Sequence, residues 1–418
     1  MKKLTIGILA HVDSGKTTLT EALLYKTGEI RNLGRVDHKD AFLDTHELER
    51  LRGITIFAKQ AVMNINDTEI TLLDTPGHVD FSAETERTLS VLDYAILVIS
   101  GTDGVQNHTE TLWKLIQRYN IPAFIFINKT DIMGISHEQI MEQIQSRLGN
   151  KCIDFSGSNE SLNESLALCS EELMQKFLEN ETISNEDIIS AIYEKTAVPC
   201  FFGSALKLSG IDVFLQGLEK YTFTPFYSEQ FGAKVFKISE DESGIRLTHL
   251  KITGGTLKVK EMLGNEKVNQ IRKYSGNKYK TVSEAEAGTV CTVTGLNKSM
   301  PGDVYGAEIT QETPILEPYL DYRVILPDGE DVHKAFSYFK KLCEEDPQLH
   351  AQWNEQLKEI HIRLMGEVQT EILKNIINSR YGINADFEMG GIVYKETISK
   401  PVVGIGHYEP LKHYAEAH

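Results

Sequence analysis

A lysine and a threonine at the end of Ala10-His-Val-Asp-Ser-Gly-Lys-Thr17 are spaced to hold phosphate and a divalent cation. Gly15-Lys16-Thr17 follows an apolar run and opens a helical pattern, the context a phosphate-binding loop needs. Backbone N–H groups from Asp13 through Ser14, Gly15, Lys16 and Thr17 to Thr18 would face α- and β-phosphates, helped by the helix N-terminus. Lys16 would reach the β- and γ-phosphates, and the Thr17 hydroxyl would hold Mg²⁺. Ala10 stands where the strict pattern has Gly, which is tolerable at a strand end with φ below zero.

Four further motifs follow in order. In Asp74-Thr-Pro-Gly-His78, Asp74 would bind Mg²⁺ through water, and the Gly77 N–H would donate to a γ-phosphate oxygen. His78 stands where a water-orienting side chain belongs. Either a neutral imidazole that orients the water or a charged one that stabilises developing negative charge would serve there. Thr55, in Arg52-Gly-Ile-Thr-Ile56, ends a long polar stretch without period. It reads as a switch loop, ordered when Thr55 meets Mg²⁺ and γ-phosphate. In Asn128-Lys-Thr-Asp131 the Asp131 carboxylate can accept from guanine N1–H and the 2-amino group. Adenine offers neither donor, so the carboxylate would be left unpaired. Lys129 can pack along the base and Asn128 can brace the loop, while a backbone N–H of Ser204-Ala205-Leu206 can meet guanine O6. The expected ligands are therefore GTP or GDP with Mg²⁺, and the expected activity is hydrolysis of GTP to GDP and phosphate.

These side chains need a scaffold of strands that deliver loops at their carboxyl ends. Thr5 to Leu9, Tyr94 to Ile99, Ala123 to Ile127 and Val198 to Phe202 are buried-strand runs, and Lys16 to Thr27 has Leu19, Leu23 and Leu24 on one helical face. Val62 to Asn66 and Glu69 to Leu73 flank an Asn66-Asp67 turn as a hairpin. Strands alternating with helices predict an α/β domain, with a mainly parallel sheet covered on both faces, over 1–222. From 229 to 311, β-rich runs punctuated by glycines predict a β-barrel. From 314 to 397 the order β-α-β-(β)-α-β predicts a ferredoxin-like α+β domain, with Gly391 to Lys395 in its last strand. Residues 398–418 read as the start of a truncated further domain.

The 418 residues suffice for two to four domains, and 41% hydrophobic with 25% charged residues is an ordinary globular composition. No apolar run is long enough to span a bilayer, and the start of the chain reads as a core strand rather than a signal peptide. Five scattered cysteines without Cys-x-x-Cys spacing point to a reducing cytoplasm. The net charge of −17 does not advertise nucleic-acid binding. An acidic block from Asp154 to Glu194 and a basic one from Lys251 to Lys280 each read as a solvated face. Neither a zinc-type His-Glu-x-x-His nor a Ser-His-Asp arrangement competes.

The motifs resemble those of the translational GTPases. His11-Val-Asp-Ser-Gly-Lys-Thr-Thr18, Arg52-Gly-Ile-Thr55 and Asp74-Thr-Pro-Gly-His-Val-Asp-Phe81 are similar to the elongation factor G pattern. Ala287-Gly-Thr-Val290 through Pro301-Gly-Asp303 resembles that family's barrel, Glu344-Glu-Asp-Pro347 its third domain and Val393-Tyr-Lys-Glu-Thr397 the entry to its fourth. Within the superfamily, Glu86-Arg-Thr-Leu-Ser-Val-Leu-Asp93, the acidic insert and Gly366-Glu-Val-Gln-Thr-Glu371 are similar to the tetracycline-resistance ribosomal protection proteins. The resemblance implies a ribosome partner (ribosomal RNA and proteins), no membrane or DNA partner, and a monomer off the ribosome. It also implies that His78 acts after docking, with Val12 and Ile54 as an apolar gate beside it. The alternatives it leaves are an elongation factor G- or release-factor-like GTPase, or a GTP-gated ribosome-binding module with little turnover of its own.

Overall fold

The computed structural model describes residues 2–34, 42, 49, 55–132, 134, 136–157, 159–241, 243–309, 314–392, 406–408 and 415–417. Ile54 and the rest of Arg52 to Ile54 lie outside the described residues, as do Val393 to Thr397.

The apolar runs of the first half become a seven-stranded sheet. Its strands are β1 (Lys2–Ala10), β2 (Lys59–Ile65), β3 (Thr68–Asp74), β4 (Tyr94–Ser100), β5 (Ala123–Asn128), β6 (Cys152–Asp154) and β7 (Val198–Phe202). The order is β2-β3-β1-β4-β5-β7-β6. Only the β2–β3 hairpin pairs antiparallel; its turn places Asn66 at φ 46°, a conformation Asn tolerates. Every other pairing in the sheet is parallel, so its interior strands are apolar on both faces.

Helices cover both faces: α1 (Lys16–Lys26), α2 (Ser82–Leu89), α3 (Asn107–Arg118), α4 (His137–Leu148), α5 (Asn159–Ala167), α6 (Glu171–Asn180), α7 (Asn185–Tyr193) and α8 (Ile211–Tyr221). Leu19 and Leu23 of α1 pack with Phe214 of α8 on one face; Leu112 and Ile116 of α3 pack with Ile144 of α4 on the other. In the acidic segment α5 to α7, Leu162, Leu166, Leu173 and Ile188 turn inward while Glu160, Glu164, Glu171, Glu172, Glu179, Glu181 and Glu186 stay exposed, as a solvated face requires. Among the described residues, no helix is long and apolar enough to cross a membrane.

The second unit contains β8 (Gly232–Glu240), β9 (Arg246–Gly254), β10 (Thr256–Lys258), β11 (Met262–Leu263), β12 (Glu266–Lys267), β13 (Gln270–Ser275), β14 (Lys278–Val282), β15 (Glu284–Glu286), β16 (Val290–Thr294) and β17 (Val304–Gly306). Six of them form an antiparallel sheet in the order β14-β13-β16-β9-β8-β17, and β10–β15 and β11–β12 form short pairs. Val235, Leu250, Ile271 and Val293 fill the centre. The basic block here is not wholly a solvated face. Arg272 is buried, lies 4.5 Å over the Tyr279 ring and pairs with Asp241 at 3.1 Å. Its planar guanidinium can stack where a lysine could not.

The third unit runs β18 (Leu320–Ile325), α9 (Val332–Glu345), β19 (Gln352–Asn354), β20 (Glu359–Leu364), α10 (Val368–Tyr381) and β21 (Asp386–Ile392). The antiparallel order β19-β20-β18-β21 is that of a split βαβ fold. Ala335, Phe339, Ile372 and Ile376 seat both helices on the sheet. The last strand starts at Asp386, five residues before the expected Gly391. A Gly390-Gly391 pair and a bulge opposite Asp321/Tyr322 break its alternation, which hides it from a periodicity search.

Candidate functional site

Among the described residues, four loops and Thr55 meet at the carboxyl edge of the parallel sheet. The first turns from β1 into α1. Asp13 and Gly15 take positive φ, 61° and 86°, and Ser14 N–H closes the turn on the His11 carbonyl at 3.2 Å. Gly15 caps α1 without a side-chain hydrogen bond, and no acidic residue stands in the helix's first turn. The first-turn N–H groups are thus left to an anion. Ala10 is the last residue of β1 and, as its side chain requires, is not among the residues at positive φ.

Lys16 enters the sheet edge almost fully buried. Its Nζ lies 2.5 Å from Asp74 Oδ1 and donates to Thr55 Oγ1 at 3.0 Å. Thr17 Oγ1 is 3.4 Å from Thr55 Oγ1, so Thr17, Thr55 and Asp74, though 57 positions apart at the extremes, share one small volume. Asp74 is fully buried at the end of β3, and its Oδ2 has no hydrogen-bond partner among the described residues. The hydroxyls of Thr17 and Thr55 and the Asp74 carboxylate, with its orphaned Oδ2, form an all-oxygen donor set that suits Mg²⁺. Thr75 ties the following turn to β1 by donating its hydroxyl to the Ile8 carbonyl at 2.8 Å. A Cβ at Gly77 would lie 3.3 Å from the Ala10 carbonyl, so glycine lets this turn close on the phosphate loop.

His78 is half-buried and caps the short turn Val79–Phe81. Its Nδ1 accepts the Asp80 N–H at 3.2 Å and lies 3.3 Å from Asp80 Oδ1. Two more imidazoles stand nearby. His108 of α3 meets His11 edge-on at 5.9 Å, and the buried His11 Nδ1 has no partner among the described residues. Burial, with His11 and His78 adding to it, pushes the His108 imidazole down to about 4. Val12 is half-buried on the same loop; Ile54, its expected partner, lies outside the described residues.

At the other end, Asn128 closes β5 and joins two loops. Its Nδ2 donates to the Ser14 carbonyl at 3.0 Å, and its Oδ1 accepts the Ala205 N–H at 2.9 Å. Lys129 follows at φ 65°, a strained backbone for a non-glycine residue. Asp131 is exposed. The Ser204 N–H is engaged with the Ser209 carbonyl and the Ala205 N–H with Asn128, so of the three N–H groups expected to meet guanine O6 these two are already used.

The structure also shows residues that local reasoning missed. The α2 helix that follows His78 is a charged seam between all three units. Glu84 pairs with Lys237 of β8 and Arg87 at 2.8 Å each, and Arg87 reaches Asp346 of the third unit at 2.8 Å. Burial opposes charge on Glu84, but Lys237 and Arg87 outweigh it and hold the carboxyl down at about 2. Glu86 accepts the N–H groups of Ile315 and Leu316, and Asp93 pairs with the buried Lys251 at 2.6 Å. Beside this seam a cavity of about 400 Å³ opens between Phe81, Phe236, His249, Leu342 and Ile372. The local signals were the density of charge in Glu84-Thr-Glu-Arg87 on a helix start and the Glu86 to Asp93 motif, neither of which points to a contact with another unit.

A family model described as "Elongation factor Tu GTP binding domain" matches residues 1–224, and "Elongation Factor G, domain III" matches 315–389. The chain is 35% identical over 433 aligned positions to a tetracycline resistance protein, TetP, of Clostridium perfringens, covering 95% of this chain and 66% of that protein. It is 29% identical to an elongation factor G 2 of Syntrophus aciditrophicus, covering 97% of this chain and 72% of that one. A crystal structure from Thermus thermophilus matches with a TM-score of 0.83 at 25% identity, over 99% of this chain and 72% of that chain.

Proposed function

The chain belongs to the elongation factor Tu GTP-binding domain family, and from that premise we propose that it is a ribosome-dependent GTPase of the ribosomal-protection branch. The observation that carries the reading is the convergence of Lys16, Thr17, Thr55 and Asp74 beside His78, with the charged α2 seam leading from that point into both other units.

In this reading the domains divide at 1–222, 229–311 and 314–397. Lys16 leaves Asp74 for the β- and γ-phosphates. Thr17, Thr55 and Asp74 would then hold Mg²⁺, which shields phosphate charge when bound. Asp13 to Thr18 cradle phosphate through their N–H groups, and Gly77 N–H meets a γ-phosphate oxygen. His78 orients the attacking water, with Val12 and Ile54 as the apolar gate. Asp131 reads the guanine edge, Lys129 covers the base and Leu206 of the Ser204-Ala205-Leu206 turn meets O6. The partner is the ribosome and the compartment the cytoplasm. The likeness to TetP supports protection against tetracycline; the likeness to elongation factor G supports the ribosome.

GTP turnover by the full chain, with and without ribosomes, tests the reading. Ribosomes should raise turnover at least tenfold, and His78→Ala should remove that gain while leaving GTP affinity within about twofold. Unstimulated turnover would overturn the ribosome partner. Tetracycline-treated cells that grow no better with the chain than without it would sink the protection role and leave the translation-factor reading.

A further inference from the structure

We propose that Asp80 is a positioning residue through which the third unit sets the imidazole of His78. The inference rests on the reading of His78 as the water-orienting group. Asp80 is buried between two parts of the chain that lie far apart in sequence. Its Oδ2 accepts the N–H of Val368, the first residue of α10, at 2.9 Å. Its Oδ1 lies 3.3 Å from His78 Nδ1, and its own N–H donates to that nitrogen at 3.2 Å.

One ring nitrogen therefore faces a donor and an acceptor from the same residue. A neutral imidazole uses its Nδ1 lone pair to accept the Asp80 N–H. A protonated imidazole donates Nδ1–H to the Asp80 carboxylate. In both states Nε2 is left pointing away from Asp80, and the ring need not turn as its proton comes or goes. Among the described residues, His108, itself beside His11, feels the His78 ring, and Tyr322 of the third unit feels both Asp80 and Glu367.

The third unit holds that carboxylate tightly. A Cβ at Gly366 would stand 2.2 Å from the Asp80 carboxyl carbon, so this turn can close on Asp80 only as glycine. Gly366 is not at positive φ, and the constraint there is contact rather than backbone conformation. Displacing the third unit shifts Val368 and Gly366, which shifts the carboxylate and with it the ring. The coupling reaches from α10 to His78 through one side chain.

Two substitutions in the full chain test this. Asp80→Asn keeps the shape and an acceptor for Val368 but removes the charge. Gly366→Ala keeps Asp80 but displaces its carboxylate. Each should lower ribosome-stimulated kcat about 10- to 100-fold, the usual cost of a misplaced reacting group, with KM for GTP within about twofold. The double variant should lose no more than either single one, because both act on one carboxylate. Wild-type kcat in both, multiplying losses, or a loss confined to KM would overturn the proposal. If ribosomes do not stimulate the wild type, the functional reading has failed, and the coupling is read on the ring instead. The His78 ring-carbon NMR resonance, assigned by its loss in His78→Ala, moves in Gly366→Ala if Asp80 links the two units and stays in place if it does not.

Discussion

The two ends of the nucleotide cleft are built on opposite plans. At the phosphate end, Lys16, Thr55 and Asp74 are buried and bonded to one another, so the site is neutralised from within. At the base end, Asp131 is exposed and Lys129 is 4.0 Å from Asp103, and it is the Asn128 side chain that is pinned, to the backbone of two loops. The residues of the proposed phosphate end are part of the folding core. The proposed base end stands on a surface loop, where a side chain can change without cost to the fold. Asn128 is the joint between the two, since its amide touches both loops at once.

The contrast predicts a graded series. Asp74→Ala leaves the Lys16 ammonium buried without its partner and should cost about 3–5 kcal/mol in nucleotide-free denaturation. A loss below about 1 kcal/mol would mean that water already reaches this end. Acid should act next. The unfolded chain protonates His108 near 6.5 and the folded one near 4, so its stabilising contribution is complete above 6.5 and is lost as pH falls toward 4. The change is on the order of 3 kcal/mol. Amide exchange should rise in 11–18 before it rises in 128–131, and His108→Gln should flatten the dependence.

Asn128→Ala should cost about 2 kcal/mol by leaving the Ser14 carbonyl and the Ala205 N–H unpaired. Nucleotide affinity should fall for both GTP and xanthine nucleotides, since the joint serves both ends. The smallest stability effect belongs to Asp131→Asn, within about 0.5 kcal/mol, because the side chain is exposed. Its effect on selectivity should be large, with preference moving from guanine toward xanthine in competition binding. A stability loss equal to that of Asn128→Ala would erase the distinction between the two ends.

Much of this was legible locally. Leu19, Leu23 and Leu24 mark α1, and the apolar runs at Tyr94 and Ala123 mark β4 and β5, because burial on both faces demands unbroken apolar sequence. The strand Asp386–Ile392 begins five residues before the expected Gly391 because its glycines and bulge remove the period that identifies a strand. Arg272 reads as one more surface cation until Tyr279 and Asp241 are seen around it. Glu84 and Arg87 look like ordinary helix charges, yet each is half-buried and paired with a residue more than 150 positions away.

By itself, the sequence determined which groups exist and their order: a phosphate loop, a carboxylate at a strand end, a histidine after a glycine, and a guanine-type Asn-Lys-x-Asp. Such motifs are local because backbone turns and strand ends are local. Tertiary structure alone decided that Asp80 stands between His78 and Val368, the latter 288 positions from Asp80, and that α2 is an ionic seam rather than a solvated helix. Electrostatic coupling depends on distance and desolvation in space, and neither is written in the spacing of residues along the chain.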